Sequence, residues 1–174
     1  MPFSMENLQA YVNTFLSAQD MRKAQMNRMR GWLRDTLPKE EWKGKNRLKD
    51  REILKHPKLP NNQREFIGII RGMEESAEQY MREEMELHPM WPWLSDIRGM
   101  GATLAALLFS AIGRPLDNFP SVLHIWSFCG LDGPHWRERG YNRDALRSVW
   151  LISDAFVRQP AEESVYRRIY VARK

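Results

Sequence analysis

The stretch Leu94-Ser95-Asp96-Ile97-Arg98-Gly99-Met100-Gly101-Ala102-Thr103-Leu104-Ala105-Ala106-Leu107-Leu108 decides how the chain is read. It runs apolar, two positions, apolar, any, Gly, apolar, Gly, three positions, Ala, and then an apolar helix. That is the pattern of a helix-hairpin-helix. Each residue type has a physical job in it. Gly99 and Gly101 are expected to give the tight hairpin its unusual backbone angles and to let a phosphate approach the main chain. Ile97 and Met100 are expected to pin the hairpin to the core, and Ala105 to be small so that two helices pack closely. The first N–H groups of the second helix, aided by its dipole, would then face a phosphate oxygen. A contact of that kind fixes position on a nucleic-acid backbone and reads no base. The same turn also serves as a ligand-free scaffold, so the motif by itself leaves both readings open.

Outward from the hairpin the chain reads as all-α. Alternation of polar and apolar residues is rare, and apolar residues recur at helical spacing. Ser4 is placed to cap a first helix with the stripe Met5, Leu8, Val12, Phe15 and Leu16. A second helical stretch carries Met26, Met29, Trp32 and Leu33 and ends before Pro38, because the residue before a proline avoids the helical region. The two stretches are readable as one bent helix. Residues 39–60 hold eight Lys/Arg and few apolar residues, which reads as a charged linker with a short helix at Lys49–Lys55. Asn61 is then placed to cap a long amphipathic helix lined by Phe66, Ile69, Ile70, Met73, Ala77, Tyr80, Met81 and Met85, with an acidic opposite face, ended by Pro89. Short helices are expected near 92–97, 103–113, 120–129, 142–158 and 161–172, with Gly113, Gly130 and Gly140 at turns that need positive φ. The architecture expected is a helical bundle with a long central helix and a C-terminal helix-hairpin-helix module. Its divisions are a basic N-terminal region and linker at 1–60, the long helix at 61–90 and the hairpin domain at 91–174.

Charge is uneven along these divisions. Residues 1–60 carry a net +6, residues 61–95 a net −4, and residues 96–174 a net +3. Two basic ends could touch phosphate while the middle does not, although solvated helix faces give the same pattern. No 18-residue apolar run is present, so no membrane span is expected. The start MPFSMENLQAYV lacks a basic flank followed by an apolar core, and Cys129 is the one cysteine; a cytoplasmic protein without a secretory signal is expected. His56, His88, His124 and His135 have no metal-ligand spacing with Cys129, and no Gly-rich loop ends in Lys-Ser/Thr, so neither metal nor cofactor is expected.

The loop Trp136-Arg137-Glu138-Arg139-Gly140-Tyr141-Asn142-Arg143, with Arg147 one turn on, brings four arginines and two aromatics to a helix start. Arginine offers paired donors to phosphate and aromatics stack on bases. The competing reading plugs Trp136 into the core and pairs the arginines with Glu138, Asp144 and Asp154.

In order, these segments resemble a known family: insertion-sequence transposases that join a RuvC-like acidic nuclease domain to a C-terminal helix-hairpin-helix domain bearing a serine nucleophile. The likeness is carried by Leu94 to Gly101, Ala105 to Gly113, Phe119-Pro120-Ser121, Ile125 to Leu131, Gly140 to Arg147 and Tyr166 to Lys174, about 80 residues in all. Two departures qualify it. The loop Asp132-Gly133-Pro134-His135-Trp136-Arg137-Glu138-Arg139 has no serine where the family keeps its nucleophile, and Ser127 and Ser148 stand elsewhere, inside expected helices. Nothing in residues 1–90 reads as a strand with a catalytic aspartate. The resemblance thus implies the family's DNA-binding tail without its chemistry.

The leading expectation is a sequence-tolerant, non-catalytic DNA-binding protein of mobile-element or phage origin. Its contacts would be Arg98, Gly99, Gly101 and Thr103, helped by Arg137, Arg139, Arg143 and Arg147. Whether the ligand is DNA or RNA stays open, and the 61–88 helix is expected to pair with a second copy. The alternatives are a transposase or recombinase subunit whose chemistry comes from a partner chain, and a helical protein–protein scaffold.

Overall fold

A computed structural model of the chain describes residues 2–38, 49–133, 140–160, 162 and 164–174. Among them there is no strand, and the fold is all-α. In chain order the helices are α1 (Met5–Thr36), α2 (Asp50–Lys55), α3 (Asn61–Glu86), α4 (Trp91–Ser95), α5 (Ala102–Ile112), α6 (Val122–Phe128), α7 (Arg143–Arg158) and α8 (Val165–Ala172), with a 3₁₀ turn at Leu116–Asn118 between α5 and α6. The two N-terminal stripes are one unbroken helix of 32 residues. Ser4 caps it as expected: its hydroxyl accepts from the Asn7 N–H at 3.3 Å and its carbonyl from Leu8. Asn61 lies inside the first turn of α3, where its side chain accepts from Arg64 Nη1 at 2.9 Å, so it is not the cap. No helix among the described residues is long and apolar enough to cross a membrane.

The chain divides into two compact units. One comprises Asn13–Ala77. Its core is Met26, Met29 and Leu33 from α1, Leu37 just after it, Ile53 from α2, Leu59 and Ile67. Burying side chains of this size contributes about 1.5–3 kcal/mol each against exposure. The short, charged α2 is held because Ile53 is completely buried there. At the edge of this core Arg22 grips Glu74 with two bonds, Nε at 2.6 Å and Nη2 at 3.1 Å, and that bonding raises the arginine's pKa further. Arg30 pairs with Asp50.

The other unit comprises Met1–Val12 and Glu78–Lys174. Here Leu8, Met81, Met85, Leu94, Ala105, Ala106, Phe109 and Ile152 are buried. α5 packs along α7, α4 packs on α5, and α8 packs on α7. Ala105 and Ala145 are completely buried, as small residues must be where two helix backbones come close. Asn142 ties one end of this pair: its Oδ1 accepts from the Asp144 and Ala145 N–H groups at 2.9 Å, capping α7, while its Nδ2 donates to the Ala111 carbonyl near the end of α5. α8 is attached through Tyr166, which stacks on Phe156 at 4.5 Å. Glu84 is buried and accepts from the Ser4 N–H.

The stripe expected on the long helix divides. Ile70, Ala77, Met81 and Met85 are buried, whereas Phe66, Ile69, Met73 and Tyr80 are exposed. Acidic residues also do more than face water: Glu74, Glu78 and Glu84 each hold a neighbouring group.

Candidate nucleic-acid interface

The hairpin lies between α4 and α5. Ile97 N–H donates to the Leu94 carbonyl at 3.1 Å and Met100 N–H to the Ile97 carbonyl at 2.9 Å, so two tight turns follow each other. Gly99 sits at φ +92°, a left-handed angle that L side chains resist. The two glycines of the motif play different parts. A Cβ on Gly99 would lie 3.0 Å from Phe156 Cδ1 and 3.3 Å from Gln159 Nε2, so this glycine is demanded by backbone angle and by packing on the end of α7. Gly101 has φ −88° and ψ 159°, ordinary extended backbone, and nothing stands within 4 Å of where its Cβ would be. The expectation that both glycines need unusual angles therefore holds for Gly99 and not for Gly101.

Gly101 is the N-cap of α5 and lacks a side chain to accept from the first amides of that helix. The amides of Ala102, Thr103 and Leu104 belong to the first turn, which an α-helix leaves without internal acceptors. Gly101 is exposed and Ala102 is buried, so the first turn is reached over the glycine. Thr103 is engaged within the chain: its hydroxyl donates to Glu78 Oε1 at 3.0 Å. A carboxylate thus already stands at this helix start, where the dipole favours an anion. Arg98 is exposed beside the turn.

Arg143 and Arg147 are exposed on the first two turns of α7. They do not join the hairpin in one pocket. Gly99 abuts Phe156 and Gln159 at the other end of α7, and thirteen residues at 1.5 Å rise put Arg143 about 20 Å along the helix from Phe156. The expected contacts are two stations on one unit. Arg137 and Arg139 lie outside the described residues, as do His135 and Trp136. Of the acids weighed as partners for these arginines, Asp154 pairs with Arg158 at 2.8 Å. Among the described residues no group of three His, Cys, Asp or Glu could hold a metal ion.

Two further features escaped the sequence reading. Ser127 Oγ donates to Asp132 Oδ2 at 2.9 Å, whereas Asp132 Oδ1 is buried without a hydrogen-bond partner among the described residues. Arg114 lies over the Phe119 ring, 4.0 Å from its centroid. Neither has a sequence signal, because each depends on where the chain turns after α5 and α6. The double role of Asn142 was half visible, since Asn directly before a helical stretch is a cap signature.

No protein-family model and no solved structure matches the chain. It is similar to an uncharacterized 43.6 kDa protein of insertion element IS110 from Streptomyces coelicolor, with 27% identity over 114 residues. The match covers 59% of this chain and 28% of that protein, so the chain spans less than a third of its relative's length. The likeness supports a distant, transposase-like relationship with a mobile-element protein.

Proposed function

We propose that this chain binds DNA without sequence preference and belongs to mobile-element machinery, gripping the phosphate backbone at the hairpin Ile97–Ala102. The observation that carries the reading is Gly101: an exposed, unstrained glycine with open space above it, at a helix start that it leaves uncapped. The fold does not require glycine there, but a phosphate approaching the α5 amides does. Arg143 and Arg147 supply a second contact about 14–20 Å along α7 from the residue that abuts Gly99, a spacing that suits successive points on a charged polymer and not one small anion. The likeness to an insertion-element protein agrees with this reading. The test is affinity for several unrelated duplexes at two salt concentrations. Binding should be similar for all sequences and fall steeply with salt. Salt-independent or absent binding would discard the proposal.

The scaffold reading is favoured by one observation, the Thr103–Glu78 bond, which places the chain's own anion at the α5 start. The recombinase-subunit reading draws on the likeness to an insertion-element protein. Duplex cleavage appearing only when a partner chain is added would favour it. We also infer that α3 pairs with a second copy of itself. Phe66, Ile69 and Met73 form an exposed row beside Gly68 and Gly72, above which there is open space. The acidic C-terminal part of α3 complements its N-terminal part, with Arg64 and Arg71, in an antiparallel pair.

A further inference from the structure

α6 buries none of its residues, and Trp126 on it is 51% exposed. Beside that ring lies a cavity of about 530 Å³ that the hairpin and the α7 arginines leave unexplained. Leu123, Trp126 and Leu131 give it an apolar wall, while His124, Ser127 and Asp132 give it a polar edge. The polar edge is incomplete. Ser127 satisfies Asp132 Oδ2, but Oδ1 is buried and has no hydrogen-bond partner among the described residues, and a buried acceptor in that state calls for a donor.

We propose that this cavity captures one unpaired nucleobase, its face stacked on Trp126 and its amino group donating to Asp132 Oδ1. The proposal rests on the DNA-binding reading above and names what that surface holds beyond the backbone. Three observations select the ligand. The volume lies within the range of small-molecule sites. An exposed indole is a platform for any planar base. The unpartnered carboxylate oxygen selects for an amino edge, which cytosine, adenine and guanine present. Thymine offers only an imide N–H between two carbonyl oxygens that a carboxylate repels. A basic peptide side chain also carries donors, but residues 96–174 have a net charge of +3, which disfavours a cationic partner. A second cavity of about 550 Å³, lined by Arg114, Asn118 and Phe119, shares His124 and Ser127 with the first. It gives a strand leaving the pocket a guanidinium to follow.

The experiment titrates the full chain with each of the four nucleoside monophosphates and with lysine amide. The readout is the Trp126 indole N–H in a nitrogen–proton correlation spectrum, assigned by its loss in Trp126→Phe. The cytidine, adenosine and guanosine nucleotides should move it, with affinity about tenfold above thymidine. Asp132→Asn should abolish the difference, since an amide can also donate to thymine. No movement with any nucleotide, or movement with lysine amide alone, would overturn the proposal. Because this readout needs no duplex, its outcome is independent of the backbone reading. Indole shifts without duplex binding would refute the hairpin and keep the pocket, and duplex binding without indole shifts would do the reverse.

Discussion

Thr103 on α5 donates its hydroxyl to the Glu78 carboxylate on α3 at 3.0 Å, at the one helix start where a bound phosphate is proposed. The two anions compete for the same end of the dipole. Glu78→Gln keeps an oxygen for Thr103 and removes the charge, so DNA affinity at low salt should rise about two- to fivefold, the equivalent of about 0.3–1 kcal/mol. Fluorescence anisotropy on a labelled duplex measures it. Unchanged affinity would mean that no phosphate approaches α5.

Gly99 and Gly101 should separate in stability and binding. Gly99→Ala places a Cβ 3.0 Å from Phe156 at a left-handed φ and should lose about 1–3 kcal/mol, read from the denaturation midpoint. Gly101→Ser restores a preferred N-cap in open space, so stability should hold or rise by a few tenths of a kcal/mol. The new hydroxyl would take the amides offered to phosphate, so DNA affinity should fall. A Gly101→Ser chain that binds as well as the parent would show that the hairpin only packs.

Arg143→Ala should weaken all duplexes alike and lower the slope of log affinity against log salt by about one unit, the share of one phosphate. The exposed position of Arg143, next to a cap made by Asn142, predicts an unchanged melting temperature.

His88 lies between Phe3 and Phe109, with ring centroids at 4.6 and 4.4 Å, and its Nδ1 accepts from the Met90 N–H. Burial lowers its pKa, because desolvation penalises the imidazolium. As pH falls through about 6.5 the unfolded chain takes up this proton before the folded one, so stability present above that pH is lost below it. Melting followed from pH 8 to pH 5 should show the decline, and His88→Gln should lack that part of it.

Ile69→Arg puts charge into the exposed row of α3 at little cost to the fold, since Ile69 is 62% exposed. If α3 pairs with a second copy, sedimentation should show the parent as a dimer and this variant as a monomer. A parent that stays monomeric at high micromolar concentration would remove the inference.

How far the sequence could be read follows from which interactions are local. The turn at Gly99, the left-handed Gly113, Gly130 and Gly140, the Ser4 cap and the stop before Pro38 depend on a few neighbouring residues, and all could be placed from spacing and turn chemistry. The stripe of α3 could be drawn but not divided, because periodicity shows which residues share a face and not which neighbour covers it. Ile70 is buried and Ile69 exposed for that reason. The site suffered most. Thr103 looked like a phosphate ligand because Glu78, 25 residues earlier, leaves no trace near it in the sequence. Gly99 and Gly101 looked equivalent because the difference between them is made by Phe156, more than 50 residues later.

Cys129 closes α6 as its C-cap residue, is 3% exposed, and has its thiol pKa raised by burial. A thiol that is both covered and protonated reacts slowly with alkylating reagents. It is the chain's sole cysteine, so one label per molecule reports one event: the opening of the structure around α6. Reaction rates followed by mass would time that opening without any engineered probe, and DNA that holds this unit closed would slow the clock.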